Sequence, residues 1–411
     1  MSDGATTPVY LHSYLAPFAD LLARADVTDI YVNRPYEIWV ETLGGATELH
    51  PSASLSEATL HRLARQIAAI SHQGISREHP LLSATLPCGE RVQIVLPPAT
   101  RGTAAFAIRK HVSPDLSLAD YVEAGAFNHT EWGGASDGAN IDDKLAGLLE
   151  AGDMAGLLSA AVGARKNILI SGGTSTGKTT FLNALIREIP ERERLILIED
   201  TPELYMRHAN GVGLLATRSE LGEARVTAND LLSASLRMRP DRIIVGEVRG
   251  AETLDMLQAM NTGHEGSLTT IHANSPRDAL SRLETLVLTG GVELPHRAIR
   301  EQIASAFDLL IQIQRLVDGS RRVTHITEVL GMEADVVTMQ DIFVASPPTE
   351  DEGYNGAHRL LSPLRATGLK PHFLEKLAAN NVMLPPTFFS GDDPDQLRAS
   401  FAAVGFGGGY E

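Results

Sequence analysis

Apolar residues recur along this chain at two spacings, and the switches between them mark out its elements. Residues 11–25 place apolar side chains at helical intervals, interrupted at Pro17. Residues 29–33 and 37–41, joined through Arg34-Pro35, alternate as the strands of a hairpin. A second amphipathic helix is predicted over 56–72, with Leu60, Leu63, Ile67 and Ile70 on one stripe. Strands at 91–96 and 104–109 complete a small α+β domain over residues 1–112. Between 113 and 144 turn formers crowd out apolar residues, which predicts a linker or flexible loop. Helical patterning resumes from 142 to 162.

From 167 onwards the pattern changes character. Short apolar runs at 167–171, 195–200 and 243–247 read as buried strands, and helices are predicted between them, over 181–187 and 229–238. Strands alternating with helices imply α/β architecture, a mostly parallel sheet covered on both faces. Ligands of such sheets sit outside the carboxyl ends of the strands. Helices are predicted over 276–288 and 295–313, then two strands of a closing hairpin at 322–328 and 336–344. These elements make up a second domain over 145–345. Residues 346–411 form a Pro-, Gly- and acid-rich extension with one modest helix (371–379) and a tail expected to be disordered. No internal repeat is evident.

The first of these strands leads into Gly172-Gly173-Thr174-Ser175-Thr176-Gly177-Lys178-Thr179-Thr180. Strand, glycine-rich loop and helix in that order are the context a phosphate-binding P-loop requires. Gly172 and Gly177 permit backbone angles that turn successive N–H groups onto a polyphosphate. Lys178 supplies a point charge for the β/γ-phosphates, and Thr179 a hydroxyl for Mg²⁺. Two later strands end in acids, Glu199-Asp200 and Glu247. Glu247 stands where a P-loop ATPase puts the acid that orders Mg²⁺ or the attacking water. Acids after strands often cap the next helix, but a γ-phosphate needs a group to orient or deprotonate water, which favours catalysis or metal positioning for Glu199 and Asp200. His264 and His272 follow in a polar segment suited to sensing a terminal phosphate, and without neighbouring cysteines they make a poor zinc pair. Arg91 and Arg109 each flank a strand of the first domain, which on position alone makes them solvated edge residues.

Composition narrows the function. The net charge is −16, and between Asp115 and Asp153 only Lys144 opposes nine acids. That balance disfavours general nucleic-acid coating or an anionic lipid surface. Aromatics are only 5%, so stacking on bases is a minor theme. Cys88 is the single cysteine, which excludes a disulfide framework and suits a reducing compartment. No apolar run approaches the ~20 residues of a membrane span, and the N-terminus lacks the features of a signal peptide. A cytoplasmic protein, reaching the inner membrane only through partners, is expected.

Taken together the motifs resemble those of the type II/type IV secretion (traffic) ATPases. Beyond the P-loop, residues 198–204 resemble the family's Asp box, 237–250 its Walker B box, and 261–274 its His box. The resemblance implies a homo-hexameric ring that hydrolyses ATP with Mg²⁺, nucleotide lying between the two domains of each subunit. Glu199 and Glu247 would then share water activation and metal positioning, and His272 would contact the terminal phosphate. Arg91 and Arg109 match the first-domain arginines that reach the γ-phosphate. The P-loop wording and first domain resemble the type IV secretion branch. Residues 237–344 and the tail resemble the CpaF-like ATPases of Tad pili. Export of protein or DNA and pilus assembly both remain open, as does a DNA-translocating motor. A nucleotide-gated hub with negligible turnover is the non-enzymatic alternative.

Overall fold

The computed structural model describes residues 9–43, 45–110, 154–218, 225–316, 321–345, 364–369 and 371–372. The predicted linker, and nearly all of the predicted C-terminal extension, lie outside the described residues. The described residues divide between two compact units. One falls within Met1–Ile141, Glu191–Pro202 and Met206–Asp241, the other within Asp142–Pro190, Glu203–Tyr205 and Arg242–Glu411.

In the first unit, helices α1 (Val9–Leu15) and α2 (Ala19–Ala23) flank a 3-10 turn at Ala16–Phe18, where Pro17 interrupts the predicted single helix. Helix α3 (Glu57–Ile70) begins at Ser56, whose side chain accepts from the Thr59 N–H. Six antiparallel strands form the sheet: β1 (Val27–Val32), β2 (Glu37–Thr42), β3 (Thr47–Pro51), β4 (Leu81–Thr85), β5 (Arg91–Val95) and β6 (Ala105–Arg109). Their order is β3-β2-β1-β6-β5-β4. β3 and β4 escaped the sequence pattern, being short edge strands with few fully buried positions. The apolar stripe of α3 packs with Leu11, Phe18, Ile30, Val40, Ile94 and Phe106 into one core.

The same unit holds a parallel pair, β8 (Leu195–Glu199) with β9 (Gly211–Leu215), numbered here in chain order after β7 below. A short β10–β11 ribbon follows (Thr217–Arg218 with Arg225–Val226). Fully buried Arg194 immediately precedes β8. Its Nη1 donates to Asn33 Oδ1 (2.9 Å) and Asn210 Oδ1 (2.6 Å), and its Nε to the Met238 carbonyl (3.0 Å). The guanidinium stands 3.8 Å from the centre of the Tyr31 ring. Burial lowers its pKa to about 10, which leaves it charged at neutral pH.

The second unit is built on parallel strands. Helix α4 (Met154–Gly163) precedes β7 (Ile168–Gly172), and α5 (Lys178–Arg187) follows it. β12 (Arg242–Val245) and β13 (Leu268–Ile271) flank helix α7 (Glu252–Asn261). α6 (Ala228–Ser235), in the first unit, is opened by a Thr227–Asp230 capping box. β13 pairs in parallel with both β12 and β7, and β7 with β14 (Leu309–Arg315). Helices α8 (Pro276–Thr289) and α9 (His296–Ala306) come before β14. The predicted helix over 295–313 thus ends at Ala306, and Leu309–Ile313 form a strand instead. Leu309, Leu310 and Ile311 are consecutive and all buried, and a run apolar on every side fits a central strand better than a one-faced helix. The closing hairpin appears as β15 (Arg321–Glu333) and β16 (Val336–Val344), antiparallel, with β17 (Arg365–Ala366) on its edge.

Candidate functional site

The P-loop falls where the sequence put it, between β7 and α5. Gly177 caps the helix with φ 92°, a conformation that a side chain would strain. Gly172 is constrained by space: a Cβ there would stand 2.6 Å from both the Ile313 carbonyl and Thr176 Oγ1. Thr176 Oγ1 in turn donates to the Gly173 carbonyl at 3.0 Å and braces the turn. Thr174, Ser175 and Thr180 are exposed, and Thr179 is half-buried in the first helical turn.

Lys178 is buried, and its Nζ donates to the carbonyls of Gly172 and Gly173, both at 3.0 Å. Burial holds its pKa below the ordinary lysine value, with Arg249 acting in the same direction and Glu247 opposing. A desolvated ammonium at the first residue of a helix, beside its N-terminal amides, fits an anion. The cradle therefore suits a polyphosphate.

Strand register explains which residues join it. β7, β13 and β12 are adjacent and parallel, with Ile271 opposite Ser171 and Val245 opposite Thr269. Their carboxyl ends therefore deliver the P-loop, His272 and Glu247 to one edge. The Thr270 hydroxyl donates to the Gly246 carbonyl (2.8 Å), and the Val248 N–H to the Thr270 carbonyl (3.0 Å), fixing the two ends together. His272 Nε2 stands 3.0 Å from Glu247 Oε1. Lys178 Nζ lies 3.4 and 3.5 Å from the two nitrogens of the same ring, so it faces the ring rather than one lone pair. Burial, then the charge of Lys178, holds the His272 pKa below the ordinary value, against the pull of Glu247. Arg249 grips the other Glu247 oxygen, its Nε at 2.9 Å. His264 is elsewhere employed, its Nδ1 3.3 Å from the Ala259 carbonyl.

The remaining predicted residues belong to the first unit. Glu199 ends β8 with its carboxylate buried and paired with Arg101. Arg91 and Arg109 are directly opposite each other on β5 and β6, both exposed. Together with Arg237 they line a cavity of about 640 Å³, which Gln73, Ser83 and Gln93 also reach. Three cations on one cavity without a lining carboxylate again suit an anion.

Four arginines escaped the sequence reading: Arg101, Arg237, Arg249 and Arg321. Arg321 Nε donates to the Ser175 carbonyl at 3.2 Å, and its stem covers Gly177. Arg237 and Arg249 lie in the 237–250 box without a role assigned to them, Arg101 and Arg321 come from segments with no motif, and only strand register or loop docking reveals each target. Among the described residues there is no cluster of three or more His, Cys, Asp or Glu able to hold a metal ion. Nor, among them, is any helix long and apolar enough to cross a membrane.

Known proteins resemble this chain over most of its length. Residues 138–365 match the family described as "Type II/IV secretion system protein". The type IV secretion system protein VirB11 of Bartonella henselae is 38% identical over 326 residues, covering 76% of this chain and 91% of the relative. The type IV secretion system protein PtlH homolog of Bordetella bronchiseptica is 40% identical over 307 residues, 73% of this chain and 89% of its own. Among solved structures, the VirB11 ATPase from the Brucella suis type IV secretion system, in complex with sulphate, matches with a TM-score of 0.68. That match has 36% identity and covers 78% of this chain and 94% of that one. The chain belongs to the type II/IV secretion system protein family, as one of its ATPases that power secretion or pilus-related machinery.

Proposed function

We propose that this ATPase hydrolyses Mg²⁺-ATP in a homo-hexameric ring, at the cytoplasmic face of an inner-membrane type IV secretion machine. The observation that carries the reading is the convergence of Lys178, His272 and Glu247 at one edge of three adjacent parallel strands. The P-loop amides and Lys178 bind the β- and γ-phosphates. Thr179 and Glu247 would hold Mg²⁺, which would supply charge neutralisation on the phosphates. Glu247, restrained by Arg249, keeps one oxygen toward His272. With its pKa depressed, His272 is neutral at pH 7, and its one N–H, which Nε2 directs at Glu247 here, would turn to the terminal phosphate without adding charge. Glu199 orients the attacking water, and Arg91 and Arg109 offset charge that develops on the γ-phosphate. Arginines from a separate domain would couple hydrolysis to domain closure, so that the product is motion. We also propose domain limits of 1–112, 113–144, 145–345 and 346–411.

Steady-state phosphate release tests the reading. Lys178→Ala should reduce turnover to background, and wild-type turnover in that variant would overturn it. The likeness to VirB11 and PtlH proteins favours secretion over pilus assembly.

A further inference from the structure

In the first unit, the loop between β5 and β6 docks on β9 as an extra strand. Thr100 bridges Leu214 antiparallel. The Arg101 N–H donates to the Gly213 carbonyl at 2.9 Å, and the Leu215 N–H to the Ala99 carbonyl at 3.0 Å. Thr100 Oγ1 adds a bond to the Gly213 carbonyl at 3.2 Å. This docking carries the Arg101 side chain across Gly213 to the Glu199 carboxylate, with which it forms an ion pair. The Glu199 side chain is 3% exposed and that of Arg101 23%. Gly213 is the space through which the stem passes. A Cβ there would meet Arg101 Cδ at 2.6 Å and Nε at 2.9 Å.

A carboxylate this deep is costly to keep ionised without a cation beside it. The Arg101 guanidinium supplies that cation and holds the Glu199 carboxylate in one orientation. We propose that Arg101 is the positioning residue for Glu199, holding its carboxylate charged and aimed while Glu199 orients the water that attacks the γ-phosphate. The inference rests on the role given to Glu199 above. An arginine on a connecting loop carries no motif, and only the docking of that loop on β9 brings it to the acid.

Steady-state ATPase kinetics on the full chain test it. Arg101→Ala should lower kcat by about 10- to 100-fold, the cost of a misplaced catalytic group, with KM for ATP within about twofold. Arg101→Lys should recover part of kcat, since it restores charge but not the planar fork. Gly213→Ala, which pushes the stem aside without removing charge, should lower kcat in the wild-type background. In the Arg101→Ala background it should have no further effect, because the added Cβ then meets no stem. If Arg101→Ala does not fold, Arg101→Lys and Gly213→Ala carry the test. Unchanged or raised kcat in Arg101→Ala, a rise in KM alone, or full additivity of the two substitutions overturns the inference. Glu199→Gln separates the two levels: wild-type turnover in that variant removes the role of Glu199 itself. Lost turnover there combined with a neutral Arg101→Ala removes only the role of Arg101.

Discussion

Gly172 sits under the tightest constraint in the nucleotide loop, because two oxygens would lie 2.6 Å from any Cβ placed on it. Neither oxygen can retreat cheaply. One is a backbone carbonyl of β14, and the other is the hydroxyl that braces Gly173. Gly172→Ala should therefore lower kcat/KM for ATP at least about 100-fold by deforming the phosphate cradle. A loss under about threefold would show that the loop has slack. Asp29 carries a different kind of constraint. Burial and then the Glu41 carboxylate raise its pKa, against Arg239 and Arg109. A carboxyl raised in this way binds a proton more readily folded than unfolded, so stability falls as pH rises from the ordinary value of 3.8 through the folded value. Asp29→Asn removes that term. Thermal melts between pH 4 and 7 should show the wild type losing a few degrees relative to the variant as pH rises. Parallel curves would refute the assignment.

At the scale of elements, Arg194 ties the start of β8 to β1 and to the segment around Met238. Replacing it by Met keeps much of the volume but strands Asn33 Oδ1 and the Met238 carbonyl, while Asn210 Oδ1 keeps the Asn33 amide. Groups buried without partners cost about 1–3 kcal/mol each, so a total near 3 kcal/mol is expected from denaturant unfolding. A change below about 1 kcal/mol would mean that water or rearrangement satisfies them. This element also shows where sequence reading reaches its limit. The strand over 195–200 was legible because a short apolar run ends there in two carboxylates. So was the P-loop, whose strand, glycines and helix are contiguous. The meeting of His272 with Glu247 was not legible as geometry, since it depends on β13 lying between β7 and β12. The resemblance supplied their roles but not their 3.0 Å contact. Arg101 was invisible for the same reason: a lone cation has no period. The helix expected over 295–313 failed at its end because buried runs look alike in helices and central strands until pairing is known.

At the scale of the whole molecule, net charge decides how such chains can associate. Each carries −16, so a ring of them brings like charge together. Salt screens exposed charges over about 10 Å at 0.1 M and about 3 Å at 1 M. If the proposed hexamer forms by packing against this repulsion, raising salt from about 0.05 to 0.5 M should strengthen it. Mass measurement with a non-hydrolysable ATP analogue, at fixed protein concentration, should then show more of the species six times the 44.1 kDa chain. Loss of that species with salt would mean that complementary charges hold the subunits, and a monomer at every salt would remove the ring. The same balance bears on cargo. DNA binding draws on Lys and Arg that neutralise phosphates, and it weakens steeply with salt. Duplex DNA should therefore leave turnover within about twofold even at low salt. A several-fold, salt-sensitive stimulation would instead place a basic track on the assembled ring and favour a DNA-translocating motor.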